Sequence, residues 1–265
     1  MLRLVIANQR GGVSKTTTTA TLARIYADRG LRVLAIDADP QGSLGLVLGL
    51  RPSKYLHDFL VYNCALSECV VSAAANLDVL CSNRDTTKVE AALLGTTGRE
   101  FAFSRQFGSA DGAYDVVLVD VAPSISLLQT CSIMYTRSLL IPVAMDMLSL
   151  QGAAACLQTA SMLAEVFGCE IRPVALLPAM VDRRYTLTAF VLSALEEMSN
   201  RYGIPLLQAI RTDGTVPKAQ RARRFLVEYD RDSKASEDYL AAADQLLVLL
   251  GVAQQREIYS EALSA

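Results

Sequence analysis

Residues 8 to 19 read NQRGGVSKTTTT and gather a glycine pair, a lysine and a run of hydroxyls in one short stretch. Gly11 and Gly12 let the backbone turn its N–H groups toward one point, Lys15 adds a cation, and Thr16 offers a hydroxyl to a divalent metal. Those residue types in that order suit the capture of a polyphosphate with Mg²⁺. Two aspartates extend the set: Asp39 in IDADPQGS, and Asp120 at the end of YDVVLVD. One such carboxylate can orient an attacking water or touch Mg²⁺, and the other can hold a metal-bound water. Taken singly, each aspartate equally suits a helix cap or turn, and the glycine pair suits a plain strand-to-helix turn. Their joint placement favours the phosphate reading. The stretch departs from the general pattern G-x-x-x-x-G-K-[ST], with Gln9 and Ser14 where that pattern has glycine. A side chain at position 14 is expected to require a negative φ there.

Chemistry of this kind needs a rigid support, and the flanking sequence supplies one. LRLVIA (2–7) is a short apolar run that reads as a buried strand. A helical pattern follows over 16–30 and stops at Gly30, and RVLAID (32–37) is a second buried strand. The alternation recurs, with strands expected at 77–81, 114–120, 138–143, 171–179 and 205–210. Helices are expected at 151–168, 187–202 and 236–250. This predicts an α/β fold: a doubly wound, mostly parallel sheet with helices on both faces. In such a sheet Asp39 and Asp120 open on the same edge as the glycine loop. Residues 41–113 are the least regular and read as surface loops and short helices. The expected organisation is one domain over 1–265, with 251–265 as a C-terminal tail.

Composition narrows the function classes. The chain has 265 residues, is 52% hydrophobic, and carries a formal net charge of -2, so no global field draws in nucleic acid. The six cysteines form no C-x-x-C pair, which reads as free thiols packed as small hydrophobes in a reducing compartment; a cluster shared across a dimer is the sharper alternative. The start is too short and too soon polar for a signal peptide, and no apolar run reaches the ~18 residues of a membrane span. A cytoplasmic protein is expected. The single histidine, His57, reads as a surface residue.

These motifs are recognisable. R10-G-G-V-S-K-T-T, D37-A-D39-P-Q-G and Y-D-V-V-L-V-D120-V-A-P-S resemble the ParA/MinD family of deviant Walker-type ATPases, most closely the short ParA partition ATPases. L-V-E-Y-D-R-D-S-K-A-S-E-D-Y-L (226–240) resembles the family's C-terminal segment. The resemblance implies a P-loop NTPase fold in which two subunits sandwich two ATP molecules. It implies an ATP-bound dimer that coats DNA without sequence preference, on the nucleoid. A ParB-like or cargo-adaptor protein then stimulates hydrolysis and releases it. It implies that residues Arg10, Gly11, Gly12, Val13, Ser14, Lys15, Thr16 and Thr17 hold the nucleotide. Thr16, Asp39 and Asp120 would serve Mg²⁺, and Asp39 would position the hydrolytic water. The family's signature lysine corresponds to Arg10, which keeps the charge but is bulkier; the alternatives are a contact across the dimer and a surface arginine. The turn near the adenine corresponds to Arg211-Thr212-Asp213, which makes Met180 and Asp213 the implied base contacts.

Residues 201–234 hold eight basic and four acidic residues, and KAQRARR (218–224) has no acidic residue at all. Lys218, Arg221, Arg223 and Arg224 are therefore the candidate contacts to a DNA backbone, against the alternative of a solvated charged face. The tail GVAQQREIYSEALSA lacks the basic amphipathic character of a membrane-binding helix, so membrane targeting is not expected. With the first strand at residue 2, no operator-binding domain is expected ahead of it. Three rivals stay open: positioning of a protein cargo such as a carboxysome, a metabolic enzyme of the same fold, and a switch that binds ATP but hydrolyses it weakly.

Overall fold

The computed structural model describes residues 1–110 and 112–251. Among the described residues seven strands form one sheet: β1 (Leu2–Ile6), β2 (Val33–Asp37), β3 (Val70–Ala74), β4 (Leu77–Leu80), β5 (Val116–Asp120), β6 (Ser138–Ala144) and β7 (Arg172–Ala179). Their order is β3-β4-β2-β5-β1-β6-β7, and every pairing is parallel except β3 with β4. The helices are α1 (Lys15–Asp28), α2 (Ser43–Leu48), α3 (Leu56–Val61), α4 (Leu66–Cys69), α5 (Thr87–Leu93) and α6 (Ala102–Gln106) in the first half. In the second half they are α7 (Leu127–Thr136), α8 (Met147–Phe167), α9 (Thr186–Tyr202), α10 (Thr215–Ala222), α11 (Leu226–Tyr229) and α12 (Lys234–Leu249).

The central strands read as unbroken apolar runs because both of their faces are covered. Successive side chains point to opposite faces. Val5, Leu34, Ile36, Val117, Val119 and Ile141 therefore join α7 and α8 in one core. Leu4, Ile6, Val33, Ala35, Leu118 and Leu140 join α1 and α12 in the other. From β1 the chain leaves through α1 toward β2 on one side. From β6, adjacent to β1 on the other side, it leaves through α8 toward β7. The strand order thus reverses beside β1, and the crevice at the carboxyl ends of such strands is where α/β sheets bind ligands. The opposite edge of the sheet opens a cavity of about 550 Å³, rimmed by Met1, Arg3, Arg137, Arg172 and Leu250.

The structure corrects three expectations. Residues 205–210 form no continuous strand: one isolated bridge joins Leu206 to Leu176 of β7, and a second joins Val181, just past β7, to Arg211. Pro178 of β7 has no N–H to give this ladder, and the Gln208 N–H donates to the Gln245 side chain at 2.7 Å rather than to β7. His57 is 6% exposed, seated on α3 with its ring edge-on to Tyr62 at 5.0 Å. The irregular region also adds an edge strand, β3, which half-buries VVSAA against β4. All six cysteines are free, and burial pushes the thiols of Cys131 and Cys156 up to about 12 and about 11. Of the expected tail, residues 252–265 lie outside the described residues. Among the described residues no helix is long and apolar enough to cross a membrane.

Candidate nucleotide site

The loop between β1 and α1 is held from below before it can hold anything itself. Buried Asn8 donates through Nδ2 to the carbonyls of Pro142 (2.8 Å) and Ser149 (3.2 Å), which ties the loop to β6 and α8. Gln9 donates through Nε2 to Thr159 Oγ1 at 2.9 Å and to the Ala155 carbonyl at 3.4 Å. Gln9, one of the two residues that break the general glycine pattern, therefore fastens the loop to α8. Gly152 on α8 makes the fit possible, because a Cβ there would collide with Asn8 Oδ1 and stand 3.1 Å from the Arg10 backbone nitrogen.

Above that base the backbone turns left-handed twice, at Gly12 (φ 76°) and at Ser14 (φ 69°). Ser14 thus has the positive φ that its side chain was expected to forbid. It caps α1 with no side-chain hydrogen bond to the helix, so the hydroxyl gives the turn no local compensation. Lys15 curls back, donating Nζ to the carbonyls of Arg10 (2.9 Å) and Asn8 (3.2 Å). Burial lowers its pKa from the ordinary value, while Asp120 and Asp39 act to raise it.

The acidic residues meet the loop at the sheet edge. Asp120 lies in register with Ile6 on one side and Asp37 on the other. Its Oδ2 accepts from the Thr16 hydroxyl at 2.6 Å, and its Oδ1 is buried without a hydrogen-bond partner. Burial pushes the Asp120 carboxyl up to about 7, against the Thr16 bond and the Lys15 charge. Asp37 is fully buried, and burial followed by the Asp120 charge holds its carboxyl well above the usual range. Its oxygens accept the N–H groups of Asp39 (3.0 Å) and Leu44 (3.0 Å), which shapes the loop that carries Asp39. Asp39 itself is half-buried, faces the loop, and accepts from the Gln41 N–H.

A cavity of about 420 Å³ lies over the loop, lined by residues 11 to 17 and Asp39, and closed by Met180, Val216 and Gln220. A neighbouring cavity of about 310 Å³ shares Ser14, Thr17, Met180 and Val216, and adds Ile210, Asp213, Pro217 and Tyr239. The structure therefore brings together Gly11, Gly12, Val13, Ser14, Lys15, Thr16, Thr17 and Asp39 with Met180, and sets Asp213 in the adjoining wall. Both Asp213 oxygens are engaged, accepting from the Thr215 and Ala235 N–H groups that open α10 and α12. Arg10 stands apart: it is exposed, and its side chain forms no hydrogen bond or ion pair among the described residues.

The basic segment follows directly. Lys218 and Arg221 project from α10, and Arg223 closes the helix with φ 56°. Lys218, Arg221, Arg223 and Arg224 are all exposed. Pairing reduces the field expected from sequence. Arg211 is locked onto Asp238 at 2.8 Å and Glu237 at 3.1 Å, Arg224 leans on Glu228 at 3.6 Å, and Arg184 is paired with Asp182. Lys218, Arg221 and Arg223 keep their charge free of ion pairs among the described residues. Sequence reasoning missed Asn8, Gln220, Gly152 and the role of Asp37. Only Asp37 carried a legible sign, as the first member of D-A-D.

A glycine-pair loop between strand and helix, a lysine turned into it and a Thr–Asp pair at the switch point define a P-loop nucleotide-binding fold of the deviant Walker type. The AAA domain family model matches residues 1–171, and the chain belongs to that family, within its ParA/MinD branch. The cell division protein PomZ of Myxococcus xanthus is 30% identical over 249 residues, covering 92% of this chain and 77% of its own. The chromosome partitioning protein ParA of the same organism is 27% identical over 254 residues, covering 92% and 87%. A solved structure described as cobyrinic acid a,c-diamide synthase from Mycobacterium smegmatis, with bound ATP analogue and magnesium, superposes with a TM-score of 0.81. It is 31% identical and covers 93% of this chain and 94% of that one.

Proposed function

We propose that this protein is an ATP-dependent dimerising ATPase that binds DNA without sequence preference in its ATP state and positions a cargo by that cycle. The observation that carries the reading is the adjacency of two sites: α10 closes the phosphate cavity with Gln220 and Val216 while presenting Lys218 and Arg221 to solvent. A helix that is at once a wall of the nucleotide cavity and a basic face suits a DNA binder controlled by nucleotide.

The residues fit ATP and Mg²⁺. Lys15 rests on carbonyls, with its charge unneutralised by a direct carboxylate bond and available to β- and γ-phosphates. The Thr16 hydroxyl with the unpartnered Asp120 Oδ1 is a donor set suited to a hard cation and its water. Mg²⁺ supplies neutralisation of phosphate charge. Asp39, at the rim, orients the attacking water. Arg10, exposed and unpaired among the described residues, reaches the phosphates of the second subunit. The partners on this reading are a second copy of the chain, nonspecific double-stranded DNA on the nucleoid, and an activating protein of the ParB or cargo-adaptor kind.

The test is gel-shift binding to a nonspecific linear duplex with ATP, with ADP and with no nucleotide. A shift confined to ATP that weakens steeply with salt is expected. Equal binding in all three states, or none, overturns the reading. A second reading, ATP-driven amide formation, has the name of the Mycobacterium smegmatis relative in its favour. It predicts no duplex binding, and ATP turnover that requires a carboxylic acid substrate.

A further inference from the structure

Thr17 Oγ1 accepts a hydrogen bond of 3.0 Å from Gln220 Nε2. The two residues are far apart in sequence, and both line the cavity over the phosphate loop. A threonine hydroxyl has one proton to give and two lone pairs to receive with. Because Oγ1 receives from Gln220, its own proton remains to be donated, and no described residue accepts it. The acceptor it lacks is what an anionic oxygen in that cavity would provide.

Gln220 belongs to α10, the helix that carries Lys218 and Arg221. A second contact seats the same segment on the site. The Arg223 stem packs so closely on Gly49, the C-cap of α2, that a Cβ on Gly49 would lie 2.8 Å from Arg223 Cδ. The basic segment therefore touches both helices that follow the cavity loops, α1 through Gln220 and the far end of α2 through Arg223.

We propose that the Thr17–Gln220 pair reports occupancy of the phosphate cavity to the basic helix. With a nucleotide phosphate oxygen accepting from Thr17, the bonds run one way, from Gln220 N–H to Thr17 O–H to phosphate. Each polarises the next and strengthens it. A filled cavity tightens α10 on the loop and fixes Lys218, Arg221 and Arg223 in one arrangement; an empty cavity leaves the link weaker. Linkage is reciprocal, so a polyanion held by α10 raises nucleotide affinity by the same factor. The consequence for DNA rests on the function proposed above, whereas the relay itself needs only a bound nucleotide.

The experiment is amide hydrogen exchange over 215–224 in the full chain, with and without a non-hydrolysable ATP analogue. It is run on the wild type, Gln220→Leu and Gln220→Glu, each saturated as judged by a fluorescent ATP analogue. In the wild type, nucleotide is expected to slow exchange in α10 about fivefold or more. In Gln220→Leu the slowing disappears. Gln220→Glu preserves size but reverses the bond, because its carboxylate takes the Thr17 proton away from the phosphate. It should therefore bind nucleotide more weakly than Gln220→Leu, although it is the closer match in shape. Repulsion between the new carboxylate and the phosphates also weakens binding, so the loss of nucleotide-dependent slowing in Gln220→Leu is the readout that separates the relay from a purely structural role. Slowing that survives in Gln220→Leu, no slowing in the wild type, or wild-type affinity in Gln220→Glu each overturns the relay. Duplex binding measured on the same samples keeps the two ideas apart. A relay present without nucleotide-dependent duplex binding upholds the link and removes DNA as its output.

Discussion

Ser14 holds a backbone conformation that costs an L-residue about 1–2 kcal/mol, and no side-chain hydrogen bond to the α1 N-terminus offsets it. Glycine would remove that strain at some cost in chain entropy. Ser14→Gly is therefore expected to raise stability by about 0.5–1 kcal/mol in urea unfolding. A destabilised variant would show that the hydroxyl holds the loop. Asp120 makes the opposite kind of demand. The fold keeps its proton up to about 7, whereas an unfolded aspartate releases it near pH 4. The native state thus binds more protons in that window, and stability of the nucleotide-free protein should fall as pH rises from about 4 to 7. Asp120→Asn removes the buried charge, so its urea midpoint should change less than the wild type's between pH 5 and pH 8. An equal change in both would place the titration elsewhere. At this scale the placement of the loop, Lys15, Thr16, Asp39 at the rim and buried Asp120 was legible through residue type and spacing. The sequence could not show the sign of φ at Ser14, because a side chain there reads as negative φ whereas the turn into α1 holds it at 69°. It could not show the pairing of Arg211 either, since Asp238 lies on α12, distant along the chain.

Between elements, the decisive fit is α8 against the phosphate loop. Gly152 leaves room for Asn8 and Arg10, and Gln9 bonds across the gap to Ala155 and Thr159. Gly152→Ala forces a methyl into that packing and should cost about 1–3 kcal/mol, with nucleotide affinity falling as well. Unfolding midpoints and binding of a fluorescent ATP analogue check both effects. Gln9→Gly moves the chain toward the general phosphate-loop pattern, yet it deletes two hydrogen bonds to α8 and adds backbone freedom. It is expected to destabilise by about 1–2 kcal/mol. A stabilised variant would mean that those bonds are spent against strain. The strands were legible where burial on both faces leaves an unbroken apolar run, as in VVLVD. They were illegible where the pattern is partial. VVSAA pairs along the edge with only half its surface covered, and PLLQAI has an apolar run but faces a neighbour broken by proline. His57 was misplaced because a polar residue in an irregular segment reads as exposed, whereas α3 turns it inward.

For the molecule as a whole, a formal charge of -2 hides a local field. Lys218 and Arg221 stand on a helix beside the nucleotide cavity, and Arg223 joins them at its end. Reversing charge at Lys218 and Arg221 together should weaken duplex binding at every sequence. Each lost phosphate contact should lower the slope of log affinity against log salt by about 0.9. An unchanged slope, read by fluorescence anisotropy across a salt series, would place the contact surface elsewhere. Arg10 belongs to this scale too, since its proposed partner is in a second subunit. Arg10→Ala is expected to abolish ATP-dependent dimers in sedimentation while leaving the monomer folded, and dimers that persist would leave Arg10 a surface residue.

The cavity at the far edge of the sheet bears on how the molecule can be held. Met1 and Leu250 both sit at its rim, across the sheet from the phosphate loop. A tether attached near either residue leaves the nucleotide edge pointing away from its support. Molecules fixed to a glass surface or a sensor chip through either position would stand in the same attitude, with the phosphate cavity and its rim open to the flowing solution.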